Sequence, residues 1–249
     1  MRKLTKRQKF QEEEYDFPYH YLDLKVDIYR LIRYIEYLSL INIVKNLLRP
    51  FHRQLILDAG CDDGRFCYEL RNEDVRVVGV DFSESAIRFA KAFNPDVQFF
   101  VQDLRNLVLP YNFDYIVLLE TLEHIPPSEI PEVLENLSKV LNADGKLIIT
   151  VPSKNLPLTN KHYQHFTTES LEKQLKGYFK VNRIMGHSKK GLKRKIFVNL
   201  ERIGILMFPF RNKILINRFY DFFKDYYRKH LEICKPENGR RLIAICEKK

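Results

Sequence analysis

The chain has 249 residues, 45% apolar and 30% charged, and an excess of 42 Lys and Arg over 32 Asp and Glu; it suits one decorated soluble, globular domain better than two full ones. Its longest apolar stretches, around residues 38–48 and 203–210, fall short of the roughly 18 to 20 residues that span a bilayer, which excludes a transmembrane helix. The charged start MRKLTKRQKFQEEEYDF lacks the apolar core of a secretory signal, and the four cysteines show neither CxxC spacing nor the density of a disulfide scaffold, so a cytoplasmic protein with reduced, core-packed thiols is expected.

Residues 21–48 carry apolar side chains at helical spacing without Gly or Pro, which predicts one or two helices and an N-terminal helical extension over 1–50. The pattern then changes. LILDA (55–59), VRVVGV (75–80), VQFFV (97–101), FDYIVLL (113–119) and KLIITV (146–151) are short, nearly continuous apolar runs, typical of strands buried on both faces. Helical segments separate them, with Ser83, Ser128 and Thr167 placed as N-caps. Alternating strands and helices predict βαβ units and a mostly parallel sheet covered on both sides. YFKVNRIM (178–185) and RRLIAICE (240–247) add a sixth and a seventh strand. The core is thus expected over 51–186 plus 240–249, interrupted by a segment at 187–239.

The first strand runs into a turn, LILDAGCDDGRF, that places Asp58, Gly60, Asp62, Asp63 and Gly64 at the carboxyl end of the sheet, where such folds hold ligands. A nucleoside triphosphate would want GxxxxGK[ST], and the loop has no lysine. A dinucleotide would rest its pyrophosphate on backbone amides here, and three acids around it would cost several kcal/mol if desolvated. S-adenosylmethionine reverses the sign, because it brings an ammonium and a sulfonium and no phosphate.

With Asp58, Gly60 and Gly64 matching D-x-G-x-G-x-G, Asp81 closing VVGVD, Asp103 in FVQD and the stretch FDYIVLLETLEHIPP, residues 55–185 resemble the class I S-adenosylmethionine-dependent methyltransferases. The resemblance implies a Rossmann-like seven-stranded sheet in the order 3-2-1-4-5-7-6 with an antiparallel seventh strand. It also implies that Asp81 accepts from the ribose hydroxyls, that Phe82, Gln102 and Asp103 surround adenine, and that Glu120 reaches the methionine ammonium. One departure stands out: the family's middle glycine is Asp62. Asp tolerates left-handed backbone better than most residues, so three consequences stay open, in this order: Asp62 faces outward, cofactor affinity is weakened, or the loop is degenerate.

ETLEHIPP puts Glu120, Glu123 and His124 at i, i+3 and i+4 after the fourth strand, and KHYQHFT adds His162 and His165. The set is similar to the E-x-x-E-H of ubiquinone-pathway and small-RNA 2′-O-methyltransferases. That likeness implies an acceptor site in which His124 and Glu123 are catalytic. It also implies a divalent metal (Mg²⁺, Mn²⁺ or Zn²⁺) on Glu120, Glu123, His124 and His165 as one reading, with histidines that merely orient the acceptor or pin a loop as the other.

Residues 187–241 contain fifteen Lys or Arg against five Asp or Glu, so the whole net charge of +10 sits there, interleaved with aromatics. A helical lid or homodimer patch, a peripheral membrane contact and an RNA surface all fit, with Lys193, Arg194 and Lys195 as exposed cations. Methylation of a hydroxyl on a glycan, lipid-linked sugar or other small molecule is the expected activity. RNA 2′-O-methylation is the alternative, and a non-catalytic cofactor-binding protein is the alternative of another class.

Overall fold

The five apolar runs form five parallel strands: β1 (Leu55–Ala59), β2 (Arg76–Asp81), β3 (Gln98–Val101), β4 (Phe113–Leu119) and β5 (Leu141–Pro152). The computed structural model describes residues 16–24, 31–207 and 213–249, with the isolated residues 9 and 12. Three further strands complete one sheet, β6 (Phe179–Lys189), the two-residue β7 (Ile233–Cys234) and β8 (Gly239–Lys248). Their order is β3-β2-β1-β4-β5-β8-β6-β7, with β8 antiparallel to both β5 and β6. This is the order expected from the sequence, extended by one short edge strand.

Neighbouring β1 residues show why the runs are apolar throughout. Leu57 and Ala59 belong to the cluster on one face, beneath α4 (Ile130–Val140) and α5 (Thr168–Leu175), whereas Ile56 belongs to the opposite cluster, beneath α1 (Leu31–Leu47) and α2 (Arg65–Leu70). Both sets are fully buried, at roughly 1.5 to 3 kcal/mol per large side chain. The helix α3 (Glu84–Phe93) packs Ile87 and Ala90 on Cys61, Cys67 and Phe99. Ser83 caps it through Ala86 N, and Thr167 caps α5 in a reciprocal pair with Ser170. Ser128 does not cap α4: Glu129 occupies that position without a side-chain bond, and Pro131 in the first turn removes one of the amides a cap would satisfy. All four cysteines are free thiols.

The N-terminal stretch read as one or two helices is a 3₁₀ turn, Tyr19–Leu24, followed by α1; residues 25–30 and most of 1–15 lie outside the described residues. Between β6 and β8 the basic segment forms α6 (Leu192–Met207) and α7 (Lys213–His230), and β6 itself extends three residues into it, to Lys189. Phe197, Phe223, Tyr227 and Leu231 pack there with Ile35 of α1. Glu36 of α1 takes Arg194 (2.6 Å), Arg240 (2.8 Å) and Ser188 (2.9 Å). Burial alone would raise its pKa, but Arg240, Arg194 and Arg241 outweigh it and hold the carboxyl below its ordinary value. Arg194, expected on the surface, is therefore spent on an internal ion pair. Among the described residues no helix is long and apolar enough to cross a membrane.

Candidate active site

At the carboxyl ends of β1, β2 and β4 the chain encloses a cavity of about 260 Å³. The loop after β1 shapes its floor. Gly60, Asp62 and Gly64 all have positive φ, at 75°, 56° and 79°. A Cβ on Gly60 would lie 2.5 Å from the Thr121 side chain, so only glycine permits this approach. Asp62 holds its left-handed backbone with its own carboxylate, which accepts from Asp63 N at 2.8 Å.

Of the cofactor residues expected from the sequence, Asp58, Gly60, Asp81, Phe82, Gln102, Asp103 and Glu120 line the cavity; Gly64 instead packs beneath it on α3. The Asp81 carboxylate accepts the amides of Asp62 (3.1 Å) and Ser83 (2.9 Å), which aims it across the floor. Asp58 is 1% exposed and accepts only the Cys67 thiol at 3.3 Å among its described contacts. Burial pushes Asp58 and Asp81 up to about 7, with neighbouring carboxylates adding to the rise. Such a floor favours a cation, whose charge would restore both carboxylates to their ionised form.

Asp103 is gripped by the Arg105 guanidinium, which also reaches Glu129. The Gln102 amide is turned onto Val108, donating to its carbonyl and accepting its amide at 2.9 Å each. Gln102 therefore contributes to the wall while its amide group fixes the loop.

Asp62 does not turn outward. Its carboxylate lies 3.4 Å from Tyr19 Oη and 3.3 Å from His20 Nδ1, while His20 also meets Asp63 at 3.1 Å. Arg65 donates to the His20 carbonyl, and Tyr21 donates to that of Asp63. Burial alone would lower the His20 pKa, but Asp62 and Asp63 outweigh it and raise it. A cover of Tyr19, His20, Tyr37, Leu40 and Ile41 thus closes the cavity from the N-terminal side. Sequence reasoning missed these residues. The one available signal was the surplus acid at position 62, which called for a partner.

His124, Lys161 and His162 line the same cavity. The His124 and His162 rings meet edge to face at 4.7 Å. Burial lowers the pKa of His124 to about 4, with the Lys161 charge adding to the fall, and burial followed by the neighbouring His124 lowers that of His162 to about 3. His165 sits behind: its Nδ1 faces the Leu156 carbonyl, which only accepts, so Nδ1 donates and Nε2 accepts from His162 Nδ1 at 2.7 Å. That chain leaves the lone pair of neutral His162 on Nε2.

Glu123 is 1% exposed, and its Oε2 has no hydrogen-bond partner among the described residues. Burial, with the Glu120 charge adding to it, pushes its pKa well above the usual carboxylate range. Its carboxylate lies within 4.8 Å of ring nitrogens of His124 and His162. Of the residues expected to hold a metal, Glu123 and His124 lie in one cluster with His162. Glu120, at φ 47°, turns to Arg241 (2.8 Å) and Thr150 (3.1 Å), and His165 supports His162, which takes its place in the cluster.

Residues 56–145 match the profile of the methyltransferase domain family. A ubiquinone biosynthesis O-methyltransferase of Coxiella burnetii is 31% identical over 105 residues, 40% of this chain; the match spans only 44% of that relative's length. A TehB-like S-adenosylmethionine-dependent methyltransferase of Corynebacterium glutamicum shares the fold at TM-score 0.61 and 18% identity, over 97% of this chain and all of that one. The N-methyltransferase NodS of Bradyrhizobium japonicum, solved with S-adenosyl-L-homocysteine, does so at TM-score 0.61 and 13% identity, over 98% and 99% of the two chains. Residues 56–145 thus match a methyltransferase domain, and the chain as a whole shares the fold of solved S-adenosylmethionine-dependent methyltransferases.

Proposed function

We propose that the protein transfers the methyl group of S-adenosylmethionine to a hydroxyl of a small molecule, a glycan or a lipid-linked sugar. The observation that supports this reading is the pair of neutral imidazoles, His124 and His162, lining the same cavity as Asp58 and Asp81. An amine acceptor reacts once it is desolvated and deprotonated, whereas a hydroxyl gains more from a positioned proton acceptor. The hydroxyl oxygen attacks the methyl carbon in line with the sulfonium, and the carbon–sulfur electron pair returns to sulfur, leaving S-adenosylhomocysteine. The hydroxyl proton passes to a ring nitrogen. Holding the two reactants in line supplies much of the rate.

Imidazoles of such low pKa take a proton readily only from an acidified hydroxyl. Glu123, His124 and His162 fit a divalent cation, because the Glu123 Oε2 is buried without a partner among the described residues and both rings are neutral. Bound there, the cation would supply Lewis-acid acidification of the hydroxyl. The test is methyl transfer from labelled cofactor to a panel of sugars, lipid-linked sugars, quinone-like phenols and RNA. His124→Ala and His162→Ala are each expected to slow transfer about 100-fold with cofactor affinity unchanged. Calorimetry showing no cofactor binding would sink the proposal, and methylation confined to RNA would replace the acceptor. Activity indifferent to chelator would remove the cation and leave the imidazoles.

A further inference from the structure

On the far side of α6, away from the methyl-transfer cavity, charge and apolar surface are combined in a way that the fold does not require. Phe197 faces inward and is 2% exposed, and Arg194 is held by Glu36. The outward face carries Leu192, Ile196 and Leu200, which are 72%, 47% and 51% exposed. At i, i+4 and i+8 they form one aliphatic stripe, flanked on the helix surface by the exposed Lys193 and Lys195.

Lys193 also opens onto a cavity of about 560 Å³ whose walls bring in Lys189 from the end of β6, Lys229 from the last turn of α7 and Lys235 beyond β7. Glu237 is the one carboxylate in its lining, and Ile233, 47% exposed, lies at its edge. Four lysines, from β6, α6, α7 and the connection after β7, line one concavity, beside a stripe of exposed aliphatic side chains.

We propose that this face docks on an anionic phospholipid bilayer, with the lysine cavity receiving headgroup phosphates and Leu192, Ile196 and Leu200 entering the acyl boundary. The pairing of a basic rim with an apolar stripe fits interfacial binding, and the segment's excess of cations over acids, less Arg194, Arg240 and Arg241, which Glu36 and Glu120 hold, supplies the long-range attraction. Single-stranded RNA would be read by stacking bases on aromatic rings, and the α6 stripe is aliphatic. The inference does not depend on which acceptor the distant site methylates.

Flotation of the full chain with vesicles of equal phosphatidylserine and phosphatidylcholine, and with phosphatidylcholine alone, tests it. The wild type is expected to float with the anionic vesicles only, and less so as salt rises. Joint replacement of Lys189, Lys193, Lys229 and Lys235 by Gln should weaken binding about tenfold or more. Joint replacement of Leu192, Ile196 and Leu200 by Ser should weaken it comparably, with unchanged cofactor affinity showing that the domain is folded. Equal binding to neutral vesicles would overturn the proposal. So would wild-type binding by either variant, or tighter binding to an RNA oligonucleotide that is insensitive to the serine replacements.

Discussion

Two groups of ionisable residues lining the cavity at the carboxyl ends of the strands, the buried Asp58 and Asp81 and the half-buried His124 and His162, have opposite chemistry. Asp58 and Asp81 are pushed up to about 7; His124 and His162 are pulled down to about 4 and about 3. Burial is the first cause in all four, because a low-dielectric site disfavours whichever form is charged. The carboxylates consequently gain from a ligand that carries positive charge, and the imidazoles keep lone pairs ready at neutral pH. One physical effect prepares both halves of the site.

Removing the floor's hydrogen-bonding carboxylate should break this comparison most severely. Asp81→Asn is expected to weaken S-adenosylmethionine binding about 100-fold, the equivalent of about 2 to 3 kcal/mol for hydrogen bonds to a charged group, while thermal stability at pH 8 holds or rises. Wild-type affinity in that variant, measured by calorimetry, would remove Asp81 from the cofactor site.

A titration sharpens the comparison next. A cationic ligand that selects the ionised form of Asp58 and Asp81, whose pKa is about 7 in the free protein, should release protons near neutrality as it binds. Affinity should fall by up to about tenfold per pH unit per group below pH 7. Calorimetry in two buffers of different ionisation enthalpy reads this directly. Stability runs the other way. Folded-state values above those of the unfolded chain mean that the fold binds more protons between about pH 4 and 7. The contribution of Asp58 and Asp81 to stability is therefore lost as pH rises through that window, and chemical denaturation of the free protein at pH 5 and 8 should show it.

The smallest expected effect lies at the cover. Asp62→Gly relieves the left-handed backbone but removes one carboxylate that meets both Tyr19 and His20, so cofactor release should quicken a few-fold, with a stability change near zero as about 1 kcal/mol is gained and lost. Stopped-flow displacement checks it. An unchanged release rate would make the N-terminal contact a packing detail.

Local signals carried most of the fold. Each parallel strand announced itself as an apolar run because its neighbours on both faces are covered, as Ile56 and Leu57 show. Ser83 and Thr167 act within three residues of themselves and were legible as caps. What escaped the sequence were relations across long separations. His20 reaches Asp63 over 43 positions, and Arg194 reaches Glu36 over 158. His162 and His165 looked equivalent as ligands because spacing does not say which imidazole faces the cavity and which one backs it.

The placement of β8 has a consequence for the order in which the protein is completed. β6 pairs only with β8 and the two-residue β7 among the described strands, and β5 reaches β6 only through β8. As the chain leaves the ribosome, β1 to β5 can assemble into a parallel platform, but β6 emerges with no neighbour to bond. It must wait, with the two long helices behind it, until residues 239–248 arrive and slide between it and β5. Closure of the sheet is therefore a late, long-range event on the nascent chain, and until then β5 presents an open edge to other proteins and to chaperones.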